Sequence, residues 1–337
     1  MPLSRTSTES FLRRIWRQRG AAALLLPIAL CFTLLSAARR TLYRLGIFKS
    51  RRLPVPVVVI GNITVGGSGK TPLILHLAQS LSQSGYLAGI VSRGYGSDEA
   101  DAREVFANSD ASRVGDEALL LKRRCGLPVF VGHDRFAAGS ALLAAYPHCQ
   151  LILCDDGLQH YRLWRDVEIA VLDRRGLMNG WMLPAGPLRE PVSRLAEVDA
   201  CVLNETSVAI RAEVATFRMR LEGNRFLLLG DPAQTASSAA LAGLRLHAVA
   251  GIGEPQRFFD HLRALGLVFS AHAFADHHRY TVGDFDVDAD AILTTEKDAV
   301  KCAGLTTLPI WVLPVDAVVE PDLARFILEK INGSAPA

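Results

Sequence analysis

"TVGGSGKTP", residues 64–72, follows "VPVVVIGNI", residues 55–63, and the fold is decided by how this junction is read. The β-branched run before it has the composition of a strand buried on both faces, as in a parallel sheet. After it, "TPLILHLAQSLSQSG" places apolar residues at helical spacing and puts Pro72 in the first turn. A strand, a glycine-rich turn and a helix N-terminus in that order form an anion site. Residues 64–71 match G-x-x-x-x-G-K-[ST] except that Thr64 replaces the first glycine. Gly66, Gly67 and Gly69 let backbone N–H groups turn inward, Lys70 reaches β and γ phosphates, and Thr71 offers a hydroxyl to Mg²⁺. The loop residues Thr64, Val65, Gly66, Gly67, Ser68, Gly69, Lys70 and Thr71 are therefore the expected contacts to a nucleoside triphosphate.

A phosphate loop needs an acid at the end of a neighbouring strand. "QLILCDDGLQH", residues 150–160, supplies one, with Leu151, Ile152 and Leu153 running into Asp155 and Asp156. Partitioning and insertion ATPases often carry a lysine before the paired glycines, where this chain has Val65. That departure favours a phosphotransferase completed within one chain over a dimeric switch.

Composition narrows the alternatives. The chain has 337 residues, 50% of them hydrophobic, enough for two domains with full cores. A net charge of +3 lacks the bias of a nucleic-acid binder. Six cysteines are scattered without a CxxC pair or a Cys/His cluster, which suggests a reducing compartment and no zinc site. Positive charge gathers at the front, where Glu9 is the only acid between Arg5 and Arg52.

In that basic region lies "GAAALLLPIALCFTLLSAA", residues 20–38, without a charge. It is borderline in length for a spanning helix, and arginines on both flanks give no orientation. A helix lying in the inner leaflet satisfies both flanks, with Arg13, Arg14, Arg17, Arg39 and Arg40 on lipid phosphates and Trp16 and Tyr43 at the interface. Spanning and interfacial placements both remain open.

"GNITVGGSGKTP", "VSRGYG" (91–96), "VGDEALL" (114–120), "DDGLQH" (155–160), "LPAGPLREP" (183–191), "FADHHRY" (274–280) and "LTTEKDAVK" (293–301) follow one another in the order and spacing of a known family. The chain resembles the tetraacyldisaccharide 4′-kinases, from the basic anchor to about residue 315. The resemblance implies ATP- and Mg²⁺-dependent phosphorylation of a membrane-embedded acylated glucosamine disaccharide. It also implies a bacterial inner-membrane location with the catalytic domains on the cytoplasmic side. No nucleic acid and no obligate protein partner are expected.

The resemblance further implies site roles. Thr71, Asp155, Asp156, Gln159 and Glu190 surround the metal, and Arg189 is a forked donor to phosphate. Arg93 is a candidate substrate contact. Asp116 and His277, 161 residues apart, form a catalytic dyad with Lys70 as the phosphate cation, and either dyad member takes the sugar proton. The local reading of Asp116 is simpler, a carboxylate at a helix start. "LTTEKDAVK" likewise reads locally as a strand followed by a helix capped by Thr295, with a role near the nucleotide as the second possibility.

The whole chain therefore reads as α/β: a P-loop NTPase-like doubly wound parallel sheet, a second, smaller α/β domain, and an N-terminal membrane helix. The expected division is 1–45 for the anchor, 46–214 for the kinase domain, 215–235 for a β-hairpin hinge and 236–337 for the smaller domain. "ATFRMRLEGNRFLLLGD", residues 215–231, supplies that hairpin by alternating about Gly223-Asn224. The alternative to a lipid-sugar kinase is a membrane-bound P-loop switch acting on a protein partner.

Overall fold

A computed structural model of the chain describes residues 15–16, 19–94, 101–211 and 213–333. Arg13, Arg14 and Arg17, the Tyr95-Gly96 end of "VSRGYG", and the last residues of the tail lie outside them. The front apolar run is split into α1 (Arg19–Ala23) and α2 (Leu26–Arg44). Pro27 stands in the first turn of α2, where its missing N–H costs nothing, so the helix restarts there. Among the described residues no helix is long and apolar enough to cross a membrane. The expected N-terminal membrane helix is thus not found among them, and two contacts are reassigned. Trp16 is buried and its indole donates to Pro184 O at 2.9 Å, because a buried N–H needs an acceptor. Arg40 pairs with Glu197 at 3.1 Å.

The first sheet explains the junction at residue 61. Its strands are β1 (Val57–Gly61), β2 (Ala88–Ser92), β3 (Arg103–Glu104), β4 (Val129–Val131), β5 (Leu151–Asp155), β6 (Val167–Asp173), β7 (Ala200–Asn204) and β8 (Ala215–Glu222). Strand β1 lies between β5 and β6, parallel to both, and every one of its residues is buried. Its continuous apolar composition follows from having neighbours on both sides and helices on both faces. On one face packs α3 (Lys70–Gln83), whose Leu73, Ile74, Leu77 and Leu81 are fully buried. At about 1.5–3 kcal/mol for each such side chain, this stripe fixes the helix axis and aims its N-terminus at the strand ends. Beside it are the short α4 (Ala111–Val114) and then α5 (Asp116–Cys125), while α6 (Arg135–Ala145) buries Ala138 and Leu142 on the opposite face.

The expected hairpin is not formed. Strand β8 pairs with β7 in the first sheet, whereas β9 (Arg225–Leu228) turns back into β10 (Asp231–Ser237) in a second sheet. Gly223-Asn224 is thus a crossing between sheets rather than a two-residue turn. After α7 (Ser238–Leu241), the second sheet continues through β11 (Leu246–Ala250), α8 (Pro255–Ala264), β12 (Phe269–Ala273), β13 (Ala291–Thr295), α9 (Glu296–Ala299) and β14 (Ile310–Leu313). Strands β11, β12, β13 and β14 are mutually parallel, with β9 antiparallel beside β14.

The chain then returns. Strand β15 (Asp316–Glu320) joins β8 antiparallel at the edge of the first sheet, and α10 (Leu323–Gly333) buries Leu323 and Ile327 in the first sheet's core. The expected boundaries at 214 and 236 therefore do not follow the sheets, because residues 215–222 and 316–333 belong with the first. The two crossings run side by side. A Cβ at Gly223 would stand 2.3 Å from Pro314 O, so only glycine fits there.

Candidate active site

The loop after β1 is shaped by its own glycines. Gly66 and Gly69 take φ of 96° and 89°, a left-handed region open to glycine at no steric cost. Asn62, the residue after β1, donates to Gly66 O at 3.1 Å and faces the Lys70 amine at 3.4 Å. From the ends of the neighbouring strands, Asn204 donates to Ser68 O at 3.0 Å and Arg175 donates to Gly67 O at 2.7 Å. Arg175 is itself fixed by Asp173 at 2.6 Å. On the other flank, Val65 N donates to Pro187 O at 2.9 Å and Thr64 bridges Leu188. The loop is thus held open for an anion by residues on β6, β7 and the 183–191 segment. Asn62, Asp173, Arg175 and Asn204 were not singled out from sequence; Asp173 and Asn204 carried the signal of a polar residue ending an apolar strand, and Arg175, two residues beyond β6, carried none.

Strand register carries Asp155 opposite Ile60, so both acids of "DDGLQH" emerge beside the loop. They have different environments. Asp155 is buried; one oxygen accepts from Ser92 at 3.0 Å and Oδ1 has no hydrogen-bond partner. Burial, together with the Glu117 charge, pushes its carboxyl well up from the ordinary range. Burial also acts on Asp156, but there Lys70 at 3.4 Å and Arg189 at 2.9 Å outweigh it and hold the carboxyl low. Arg189 also reaches Gln159 Oε1 at 3.4 Å, and Gln159 donates to Glu190 at 3.0 Å. Glu190 accepts from Tyr161 as well.

Asp156, Gln159, Arg189 and Glu190 therefore form one network next to Lys70. Among the described residues no three His, Cys, Asp or Glu side chains converge as a metal cluster. The all-oxygen donors and the orphaned Asp155 Oδ1 still fit Mg²⁺, which is held by one or two carboxylates and completes its shell with water and phosphate. Thr71 follows Lys70 in the first turn of α3, and Arg93 is exposed just beyond β2.

The two sheets meet over the N-terminus of α5. Asp116 is its first residue, following Gly115 at φ 88°. His277, in the turn after β12, places Nδ1 3.2 Å from Asp116 Oδ2. Lys301 stands 3.0 Å from the same oxygen. Burial alone would raise the Asp116 carboxyl; the His277 hydrogen bond and the Lys301 ammonium together keep it below its usual value. Next door, Lys297 pairs with Glu117 and with Asp276, each at 3.1 Å, and Arg124 pairs with Glu296 at 2.6 Å. The local reading of Thr295 holds too: its hydroxyl accepts from Asp298 N and caps α9. A cavity of about 350 Å³ opens beside Asp116 and His277, lined by Ser109, Ser112, Arg279 and Lys301 among others.

Comparison with known proteins gives a consistent answer. The family model described as tetraacyldisaccharide-1-P 4′-kinase matches residues 21–332. A tetraacyldisaccharide 4′-kinase of Azoarcus sp. is 50% identical over 325 residues, covering 95% of both chains. One from Janthinobacterium sp. is 49% identical over 349 residues, covering both chains completely. Among solved structures, LpxK from Aquifex aeolicus in complex with ATP superposes with a TM-score of 0.79 at 29% identity, covering 92% of this chain and 99% of that one. By sequence and by fold, the chain belongs to the tetraacyldisaccharide-1-P 4′-kinase family.

Proposed function

We propose that this chain transfers the γ-phosphoryl group of ATP to the 4′-hydroxyl of a tetraacylated glucosamine disaccharide 1-phosphate, a step in lipid A synthesis. The observation that carries the reading is the phosphate loop at the end of β1, with Lys70 in place and paired to Asp156 at 3.4 Å. Family membership over nearly the whole chain supplies the substrate. Nothing in the comparisons favours the membrane-bound switch.

The residues divide the chemistry among them. Backbone N–H groups of residues 64–71 and the Lys70 amine hold the β and γ phosphates, and Arg189 adds a planar donor once phosphate competes for it with Asp156. Asp155, Asp156, Gln159, Glu190 and Thr71 are the groups placed to hold Mg²⁺, directly or through its waters. When bound, that ion neutralises charge developing on the phosphate oxygens. With Asp116 ionised, Nδ1 of His277 keeps its proton as a donor and Nε2 is the nitrogen left to accept one. As the new bond from the sugar oxygen to phosphorus forms and the bond from phosphorus to the β-phosphate oxygen breaks, the hydroxyl proton passes to Nε2 and ADP leaves. Arg93 is assigned to the acceptor headgroup.

The same reading places the protein on the bacterial inner membrane, catalytic residues on the cytoplasmic side, with α2 in the interface. Exposed Leu30, Leu34 and Leu35 on α2, together with Leu24 just before it, support this placement. The test is direct. Purified protein is incubated with ATP, Mg²⁺ and the acylated disaccharide 1-phosphate, and products are read by mass spectrometry. Addition of one phosphate, lost in Lys70→Ala, is the expected result. ATP consumption with no phosphorylated lipid would overturn the assignment.

A further inference from the structure

Lys297 belongs to the second sheet, in the first turn of α9, yet its partners surround the reacting centre. Its amine stands 3.1 Å from Glu117 on α5, 3.1 Å from Asp276, and 3.4 Å from His277 Nε2. The side chain is 16% exposed. A plain structural ion pair would account for the two carboxylates. It does not account for the third neighbour. Nε2 is the nitrogen that must take the sugar proton, and an ammonium can only donate to it. The acceptor hydroxyl can therefore reach Nε2 only if the Lys297 amine moves off.

The charges nearby indicate where it goes. The Glu117 carboxylate is held down first by Lys297, and Lys70 of the phosphate loop acts on it as well. Glu117 thus feels the charge of the loop cation as well as that of Lys297. A γ-phosphate held by Lys70 would add negative charge that acts on Glu117 as Lys70 does, and would offer Lys297 a more highly charged partner. Lysine suits this exchange, because its stem is flexible and its ammonium presents three donors without a fixed plane.

We infer that Lys297 is a catalytic cation, delivered from the second sheet to the transferring phosphoryl group when nucleotide and acceptor are both bound. In leaving Nε2 it opens the base, and on the phosphate oxygens it offsets the charge of the transition state. Lys297 keeps its proton throughout; only the hydroxyl proton moves, to Nε2. The inference rests on the kinase reading.

The experiment compares Lys297→Met, Lys297→Arg and the double variant Glu117→Gln/Lys297→Met with wild type. It measures kcat and KM for ATP, ATP affinity by calorimetry, and melting temperature. A cation supplied to a transferring phosphoryl group contributes roughly 10³-fold or more. Lys297→Met should lose about that much in kcat while ATP affinity changes less than about threefold, and Lys297→Arg should recover part of the loss. In the double variant, which leaves no uncompensated carboxylate at residue 117 although Asp276 has lost the same ammonium, melting temperature should return in part while turnover stays low. Recovery of turnover in the double variant would mean that Lys297 serves only to neutralise Glu117, and would overturn the inference. So would a Lys297→Met enzyme within tenfold of wild type. Wild type that phosphorylates no lipid in the same assay would instead remove the kinase reading itself.

Discussion

Gly69→Ala is a sharp test of how the phosphate loop is held. Gly69 precedes α3 at φ 89°, and a Cβ there would stand 2.5 Å from Asn204 Nδ2 and 3.0 Å from Met219 Cε. The left-handed backbone alone costs an L-residue about 1–2 kcal/mol. The Asn204 amide must also move, and it donates to Ser68 O at 3.0 Å while its oxygen accepts from Arg257 at 3.3 Å. Losing one such buried hydrogen bond adds about 1 kcal/mol. The sum is roughly 2–3 kcal/mol, and with an unfolding entropy of about 2.1 cal/mol/K for each of 337 residues that is a fall of roughly 3–4 °C in melting temperature. Gly67→Ala is the internal control. Nothing lies within 4 Å of a Cβ at Gly67, so the fold should be unaffected, while the added methyl in the loop should weaken ATP binding. Thermal melts and ATP titrations of both variants separate the two effects. A Gly69→Ala protein that melts with wild type, or a Gly67→Ala protein that falls as far as Gly69→Ala, would refute this account of the loop.

Three further outcomes are expected. Asp116→Ala and His277→Ala should each lose roughly 10²- to 10⁴-fold in turnover, with the double variant little worse than the poorer single; losses that multiply would show that the two do not act as a unit. His160, whose imidazole is lowered to about 4 by burial and then by the Arg135 charge, should make the fold acid-sensitive. The unfolded chain binds a proton below about pH 6.5 and the folded one only near 4, so stability falls as pH drops across that window, by at most about 3 kcal/mol before solvent screening. His160→Gln should flatten that limb in melts run from pH 7 to 4, and an unchanged slope would reject the assignment. Replacing Leu30, Leu34 and Leu35 together by Gln should reduce co-sedimentation with anionic vesicles without lowering the melting temperature, since all three are exposed in the isolated chain; undiminished sedimentation would remove α2 as the anchor.

What the sequence made legible was what neighbouring residues determine together. Strand β1, the glycine turn and the start of α3 are one continuous stretch, so the phosphate loop could be read directly. Partnership between strands could not. Alternation in residues 215–231 correctly marked strands, but alternation fixes which face is buried and is silent on which strand lies alongside. Gly223-Asn224 therefore looked like a hairpin turn when it is a crossing, and the return of β15 to the first sheet left no local trace. Trp16 was misplaced for a similar reason, because its acceptor, Pro184 O, is 168 residues away.

The cluster between the sheets was hidden in another way. Asp116 and Glu117 open α5, and Glu296 and Asp298 open α9, where acids interact well with a helix N-terminus. A sufficient local explanation at each position leaves nothing over to signal a distant partner. Yet three of these carboxylates, Asp116, Glu117 and Glu296, face Lys301, Lys297 and Arg124 across the junction. Ion pairs, unlike an apolar seam, can exchange partners when a phosphate enters, with little apolar surface exposed in the process. The junction is ionic at the one place where the reaction adds and removes negative charge, and its partners come from both sheets. If Lys297 acts as inferred, charge arriving at the phosphate loop is felt at His277 through that lysine, without any change in either core.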